Sequence, residues 1–136
     1  MELALRLGAD GVHLGRHDAS LESARRLLGV DAVIGVSCYD SVESALEAES
    51  RGASYVAFGR FFPSLTKPDA PCAHLHTLEQ ARRLLKLPIV AIGGITPSNA
   101  SGLIAAGADV LAVIDAVFGD ADVTAAARRF CSVFVS

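Results

Sequence analysis

The chain has 136 residues, enough for one domain and too little for two. At 51% hydrophobic residues it can bury a sizeable core, which excludes disorder as a global description. Twelve basic residues against 15 acidic ones give a net charge of −3, and without a long basic run neither a nucleic-acid nor an anionic-membrane surface is expected. The apolar stretches are short and broken by Gly, Pro or charge, so none spans a bilayer. The start, Met1-Glu2-Leu3-Ala4, lacks the basic flank and long apolar stretch of a secretory signal. Cys38, Cys72 and Cys131 are odd in number and show no CxxC spacing, which reads as a reduced, cytoplasmic protein without disulfides or structural zinc.

Taken in chain order, a helical stub over Met1 to Leu7 precedes a strand at Val12-His13-Leu14. Leu21, Ala24, Leu27 and Leu28 form a helical stripe with Ser20 as its candidate N-cap, and Val33-Ile34-Gly35-Val36 is the next strand. Val42, Ala45, Leu46 and Glu49 form a weaker stripe after Asp40 or Ser41, followed by a strand at Tyr55-Val56-Ala57-Phe58. After a long loop, Leu78, Ala81, Leu84 and Leu85 give a third stripe, then Ile89-Val90-Ala91-Ile92 a strand. Leu103, Ile104 and Ala106 follow Pro97, Val110 to Ile114 is the last strand, and a helix over Val123 to Val135 closes the chain. The strands are nearly continuous in hydrophobicity, as expected when both faces are covered. Strand alternating with helix predicts a parallel α/β sheet.

Gly8-Ala9-Asp10, Gly52-Ala53-Ser54 and Gly107-Ala108-Asp109 each end a helix and open a strand. The loops at the opposite strand ends are longer and more polar. Short connections on one side and long ones on the other describe a TIM-type (β/α)8 barrel, whose chemistry sits at the C-terminal strand ends. A complete barrel needs eight strands and about 250 residues. Only about the last five β/α units are expected here, so a shortened barrel and an open sheet of another kind both stay open. No GxGxxG follows the first strand, which disfavours a doubly wound nucleotide-binding sheet.

Candidate chemistry lies in the long loops. Gly93-Gly94-Ile95 follows a buried strand and precedes a helix starting near Pro97 or Ser98, a setting for an anion on free backbone N–H groups or for a plain tight turn. Phe62 to Asp69 holds two hydroxyls and Lys67 between prolines, suited to a phosphate or pyrophosphate, and so long a loop in a compact domain is usually functional. Asp18 is a Mg²⁺ ligand or an aspartate near the N-cap of the helix beginning after Ser20. His13 reads as a core histidine or a catalytic one. His74 and His76 make a poor metal site, and Cys72 has no assignable base.

The strings Gly8 to Gly15 with Asp18, Ile34-Gly35-Val36-Ser37, Phe58 to Pro68, Val90 to Ile95 and Ala106 to Asp109 together resemble the thiamine phosphate synthase family. The resemblance covers the whole chain in order and spacing. It implies a (β/α)8 barrel that joins hydroxymethylpyrimidine pyrophosphate to a thiazole phosphate with release of pyrophosphate. By motif, Asp18 would be a Mg²⁺ ligand and Ser37 would contact the pyrimidine substrate. Ser64, Leu65 and Thr66 would hold the thiazole phosphate side, Lys67 the pyrophosphate, and the Gly94 amide with Ile114–Asp115 would complete the thiazole phosphate pocket. Ser37 and Lys67 would be the catalytic pair.

Departures accompany the resemblance. Family members carry earlier strand–helix units bearing a Gln-x-Arg-x-Lys motif and an Asn-Asp pair, so the chain reads as N-terminally truncated and as a poor catalyst by itself. Asp115 stands where Ser is frequent, and Arg16-His17 replaces a Gln-plus-acidic pair. The related thiazole tautomerase typically has histidine where Tyr39 stands; a non-catalytic phosphate-binding remnant is the other alternative. Open edges at Val12–Leu14 and Val110–Ile114 would favour association, including with a second copy as a homo-oligomer.

Overall fold

The computed structural model describes residues 1–63 and 71–134. Within them, β1 (Gly11–Leu14), β2 (Val33–Tyr39), β3 (Tyr55–Phe58), β4 (Ile89–Ile92) and β5 (Val110–Ala112) form one sheet in sequence order, parallel throughout. The helices are α1 (Glu2–Leu7), α2 (Leu21–Leu28), α3 (Val42–Ser50), α4 (Leu75–Leu84), α5 (Ala100–Ala105), α6 (Asp115–Phe118) and α7 (Val123–Val133). Ser20 caps α2 as its position predicts, its side chain accepting the Ser23 amide, and Ser41 caps α3 on the Ser44 amide.

Several boundaries differ from expectation, and β2 runs through Ser37 to Tyr39 instead of stopping at Val36. The last strand stops at Ala112, short of Ile114, because Ile114 turns the chain: its carbonyl accepts the amides of Val117 (3.1 Å) and Phe118 (2.8 Å), opening the short α6. α5 starts at Ala100, beyond Pro97 and Ser98, because Asn99 Oδ1 accepts the Thr96 amide at 2.8 Å and holds residues 96–99 in a turn. α4 starts at Leu75, ahead of its stripe, because Asp40 caps it from the β2–α3 turn. Asp40 Oδ1 accepts the His74 amide (2.9 Å) and the Thr77 hydroxyl (2.6 Å), while Oδ2 pairs with His74 Nδ1 at 2.7 Å.

The repeated Gly-Ala-Asp/Ser segments have a physical role at the short-loop end. Each glycine has positive φ where its helix stops: 62° at Gly8, 85° at Gly52 and 117° at Gly107. The third residue then stitches the neighbouring strand: Ser54 Oγ accepts the Ile34 amide at 3.0 Å, and Asp109 Oδ2 accepts the Ile89 amide at 2.9 Å.

The strand register sorts side chains onto two faces. Leu14, Ile34, Cys38, Val56, Phe58, Ile89 and Ala91 point one way and join Leu21, Ala24, Ala45, Leu78, Ala81 and Leu103 of the helices in a single core. The other face carries His13, Gly35, Ser37, Tyr55, Ala57, Val90, Ile92 and Ala112. Coverage of both faces therefore holds only in the middle of the sheet. In β3 and β4, Val56, Ala57, Ile89, Val90 and Ala91 are all buried, whereas His13, Val110 and Ala112 on the outer strands are exposed.

All three cysteines are free thiols, Cys38 buried and Cys72 and Cys131 exposed. Burial pushes the Cys38 thiol up to about 12. A neutral thiol reagent at pH 8 should therefore modify Cys72 and Cys131 within minutes and reach Cys38 only after unfolding, as read by intact-mass spectrometry. Equal labelling of all three in native protein would contradict this packing.

The Asp40 cap gives a second test. Burial opposes ionisation of Asp40, but hydrogen bonds from Thr77 and His74 outweigh it and hold the carboxyl below the usual carboxylate range. A carboxyl depressed in the folded state stabilises the fold above its unfolded value of about 4 and loses that contribution as pH falls further. Asp40→Ala should lower unfolding free energy by about 1–2 kcal/mol at neutral pH. Denaturant curves should show the wild type and Asp40→Ala converging on acidification below about pH 4. A gap that widens with acid would refute the cap.

Candidate active site

A cavity of about 680 Å³ opens at the C-terminal ends of the strands, on the face away from the helical core. It brings together Asp18, Ser37, Gly94, Ile114 and Asp115, drawn from strand, loop and helix positions far apart in sequence. Ser64, Leu65, Thr66 and Lys67 lie outside the described residues.

Gly94 is fixed by two loops stitched together. The Phe61 amide donates to the Ile92 carbonyl at 3.2 Å and the Phe62 amide to the Gly93 carbonyl at 3.1 Å. Gly94 sits where φ is +65° and a Cβ would lie 2.3 Å from the Pro63 carbonyl oxygen, so no other residue fits without moving the loop. Asn99 Nδ2 donates to its carbonyl at 3.1 Å, and among the described residues its N–H has no acceptor. That leaves the amide available to an anion. Pro63, the residue before Ser64, lines the same cavity.

Asp18 does not cap α2, since Ser20 does. One carboxylate oxygen accepts the Gly15 amide at 2.7 Å, and the other has no partner among the described residues. Among those residues no group of three or more His, Cys, Asp or Glu side chains surrounds a metal position. Mg²⁺ is commonly held by one or two carboxylates plus substrate phosphate oxygens. Asp18 fits as one such ligand, with one oxygen left to give.

Ile114 is 61% exposed and, with Asp115, rims the cavity at the start of α6. Tyr39 closes another side. It sits at an irregularity of β2 with φ 57°, its hydroxyl accepts the Arg16 amide at 3.3 Å, and the Arg16 guanidinium lies 4.6 Å from its ring centre. That cation–π contact holds the Arg16 side chain over the Tyr39 ring.

His13 is not a core residue: it is exposed and lines the cavity. Its Nε2 lies 2.8 Å from Ser37 Oγ and its Nδ1 3.0 Å from Tyr55 Oη. Neither this chain of side chains nor Arg60, which also lines the cavity, stands out in the sequence. The signal exists only once β1, β2 and β3 are placed in register, because His13 pairs with Gly35 and Gly35 with Tyr55. His74 Nδ1 pairs with Asp40 Oδ2 at 2.7 Å.

Comparison with known proteins places this geometry in a family. The family model described as thiamine monophosphate synthase matches residues 1–117. A thiamine-phosphate synthase of Methylococcus capsulatus is 58% identical over 132 residues, covering 97% of this chain and 59% of the relative. One of Nitrosococcus oceani is 54% identical over 134 residues, covering 98% of this chain and 62% of the relative. Among solved structures, a thiamine phosphate pyrophosphorylase from Pyrococcus furiosus superposes with a TM-score of 0.86 at 40% identity, over 97% of this chain and 62% of that one. A 3-hexulose-6-phosphate synthase shares the fold at a TM-score of 0.70 and 23% identity, over 96% of this chain and 65% of that one. The fold is thus of the TIM-barrel type, with five parallel strands in the described residues. The chain spans about three fifths of the length of the curated relatives it matches. With a matching family model over most of its length and a parallel sheet that superposes on a solved pyrophosphorylase, the chain belongs to the thiamine monophosphate synthase family.

Proposed function

We propose that the cavity is a thiamine phosphate synthase site, which condenses 4-amino-2-methyl-5-hydroxymethylpyrimidine pyrophosphate with 4-methyl-5-hydroxyethylthiazole phosphate. The observation that carries this reading is the convergence of Asp18, Ser37, Gly94, Ile114 and Asp115 on one cavity in a member of this family. In the proposed reaction the C–O bond to pyrophosphate breaks with its electron pair leaving on oxygen. The thiazole nitrogen then captures the pyrimidinylmethyl cation, giving thiamine phosphate and pyrophosphate.

The chain's own groups divide the work. Ser37 hydrogen-bonds the pyrimidine substrate. The Gly94 N–H, with Ser64 to Thr66 and the Ile114–Asp115 backbone, orients the thiazole phosphate, so its nitrogen faces the electrophilic carbon. Lys67 meets the negative charge that grows on the departing pyrophosphate, the place where preorganised positive charge lowers the barrier. Mg²⁺, held in part by Asp18, would supply further charge stabilisation to the pyrophosphate. The tautomerase alternative is disfavoured by Tyr39 at the position where histidine is typical, and the curated relatives reported above are named as synthases. All three cysteines are free thiols, and among the described residues no helix is long and apolar enough to cross a membrane.

Product formation from the two substrates tests this, run on the chain alone and with the rest of the Methylococcus capsulatus relative supplied in trans. Thiamine phosphate should form at least in the supplemented reaction, and Lys67→Ala should cut the rate by about 10²–10³-fold. No product in either reaction would overturn the proposal.

Asp115 offers a separate test by charge. A carboxylate beside a bound phosphate is repelled, so Asp115→Ser should tighten thiazole phosphate binding several-fold by calorimetry, and added salt should shrink the gain. Weaker binding by the variant would show that Asp115 contributes favourably.

A further inference from the structure

We propose that Tyr55 is a positioning residue of this site: its hydroxyl fixes the tautomer of His13, and through it the direction in which Ser37 offers its proton. The inference rests on the reading that Ser37 contacts the pyrimidine substrate, and it names a residue that does not itself line the cavity.

The arrangement follows from the sheet. His13, Gly35 and Tyr55 occupy one register row across β1, β2 and β3, so all three project from the same face. Neighbouring strands lie about 4.8 Å apart, so side chains two strands apart meet only when the row between them is empty. Gly35 empties it. A Cβ there would lie 2.0 Å from Tyr55 Cζ, so the Tyr55 ring lies across the glycine and stacks on His13, with centroids 5.6 Å apart and planes at 25°. Ser37, two residues further along β2, projects from the same face and reaches His13 Nε2 at 2.8 Å.

Proton bookkeeping then sets the direction. A neutral imidazole donates from one nitrogen and accepts at the other. Burial raises the Tyr55 hydroxyl above its ordinary value, so it stays protonated. Its one hydrogen-bond partner among the described residues is His13 Nδ1, at 3.0 Å. A half-buried O–H with one acceptor in reach donates to it. Nδ1 therefore accepts, the ring proton sits on Nε2, and Nε2–H donates to Ser37 Oγ. With its oxygen accepting from His13, Ser37 keeps its own O–H for a hydrogen-bond acceptor in the cavity, a pyrimidine ring nitrogen or a pyrophosphate oxygen. The opposite tautomer would turn the Ser37 proton back onto His13 and leave the ligand without a donor from Ser37.

The test has two arms. Long-range ¹H–¹⁵N spectra of the ligand-free chain, recorded where the imidazoles are neutral and assigned with His13→Gln, should show His13 protonated on Nε2. Tyr55→Phe keeps the ring, the stack and the fit over Gly35, and should yield a mixture of tautomers. A wild-type proton on Nδ1 overturns the proposal. In the second arm, calorimetry with the pyrimidine pyrophosphate should give a roughly tenfold weaker Kd for Tyr55→Phe and for Ser37→Ala, with the double variant no worse than Ser37→Ala. Losses that multiply in the double variant overturn it as well, because Tyr55 would then act apart from Ser37. Wild-type protein that binds no pyrimidine pyrophosphate refutes the proposed function instead, and the ligand-free spectrum tells the two failures apart.

Discussion

Each strand pairs in parallel with the next one in sequence, and every step across the sheet goes the same way. Crossovers in parallel sheets are right-handed almost without exception, so steps in one direction lay all the connecting helices on one face. The single core that joins Leu14, Ile34, Val56, Phe58 and Ile89 to Leu21, Ala45, Leu78 and Leu103 is that face. Among the described residues the opposite face carries none of the connecting helices α2 to α5 and holds His13, Ser37, Ala57, Ile92 and Ala112 at the cavity wall. A doubly wound sheet, reversing direction midway, would have covered both faces. The division between a face for stability and a face for chemistry is set by topology before any catalytic residue is chosen.

The two ends of the sheet are divided in the same spirit. At the short-loop end, Ser54 and Asp109 tie the start of one strand to the amide of its neighbour. At the other end the ties run between long loops, from Phe61 and Phe62 to Ile92 and Gly93 and from Asp40 to His74 and Thr77. Those bonds bring Gly94 against Pro63 and anchor α4 just after the long loop. Loop residues can hold a substrate group in place only if their backbones are themselves held, and these contacts do so.

Much of this was legible because it is local. Alternating strands and helices, the Ser20 and Ser41 caps and the helix-ending glycines depend on residues within a few positions of each other. The motif residues Asp18, Ser37, Gly94, Ile114 and Asp115 could be assigned to one site through a resemblance, and all of them line the cavity. What stayed hidden depends on register or long separation. His13 could be read as a core or a catalytic histidine, because its exposure is decided by its place on the outer strand β1. Tyr55 looked like one more strand aromatic because its partner is 42 residues away. Asp40 caps a helix through Thr77, 37 residues on. α6 (Asp115–Phe118) has four residues, too few for a helical stripe to show in the sequence.

The central claim is that the cavity face of the sheet and the loops above it form one site for phosphate-bearing ligands. Amide chemical-shift mapping during a titration with 4-methyl-5-hydroxyethylthiazole phosphate tests it most directly. The account predicts that the Gly94, Ile114 and Asp115 amides shift together with one binding constant, while Ile34 and Val56, which face the helices, stay in place. Shifts centred on the helical face, or Gly94 and Asp115 responding with different constants, would contradict it.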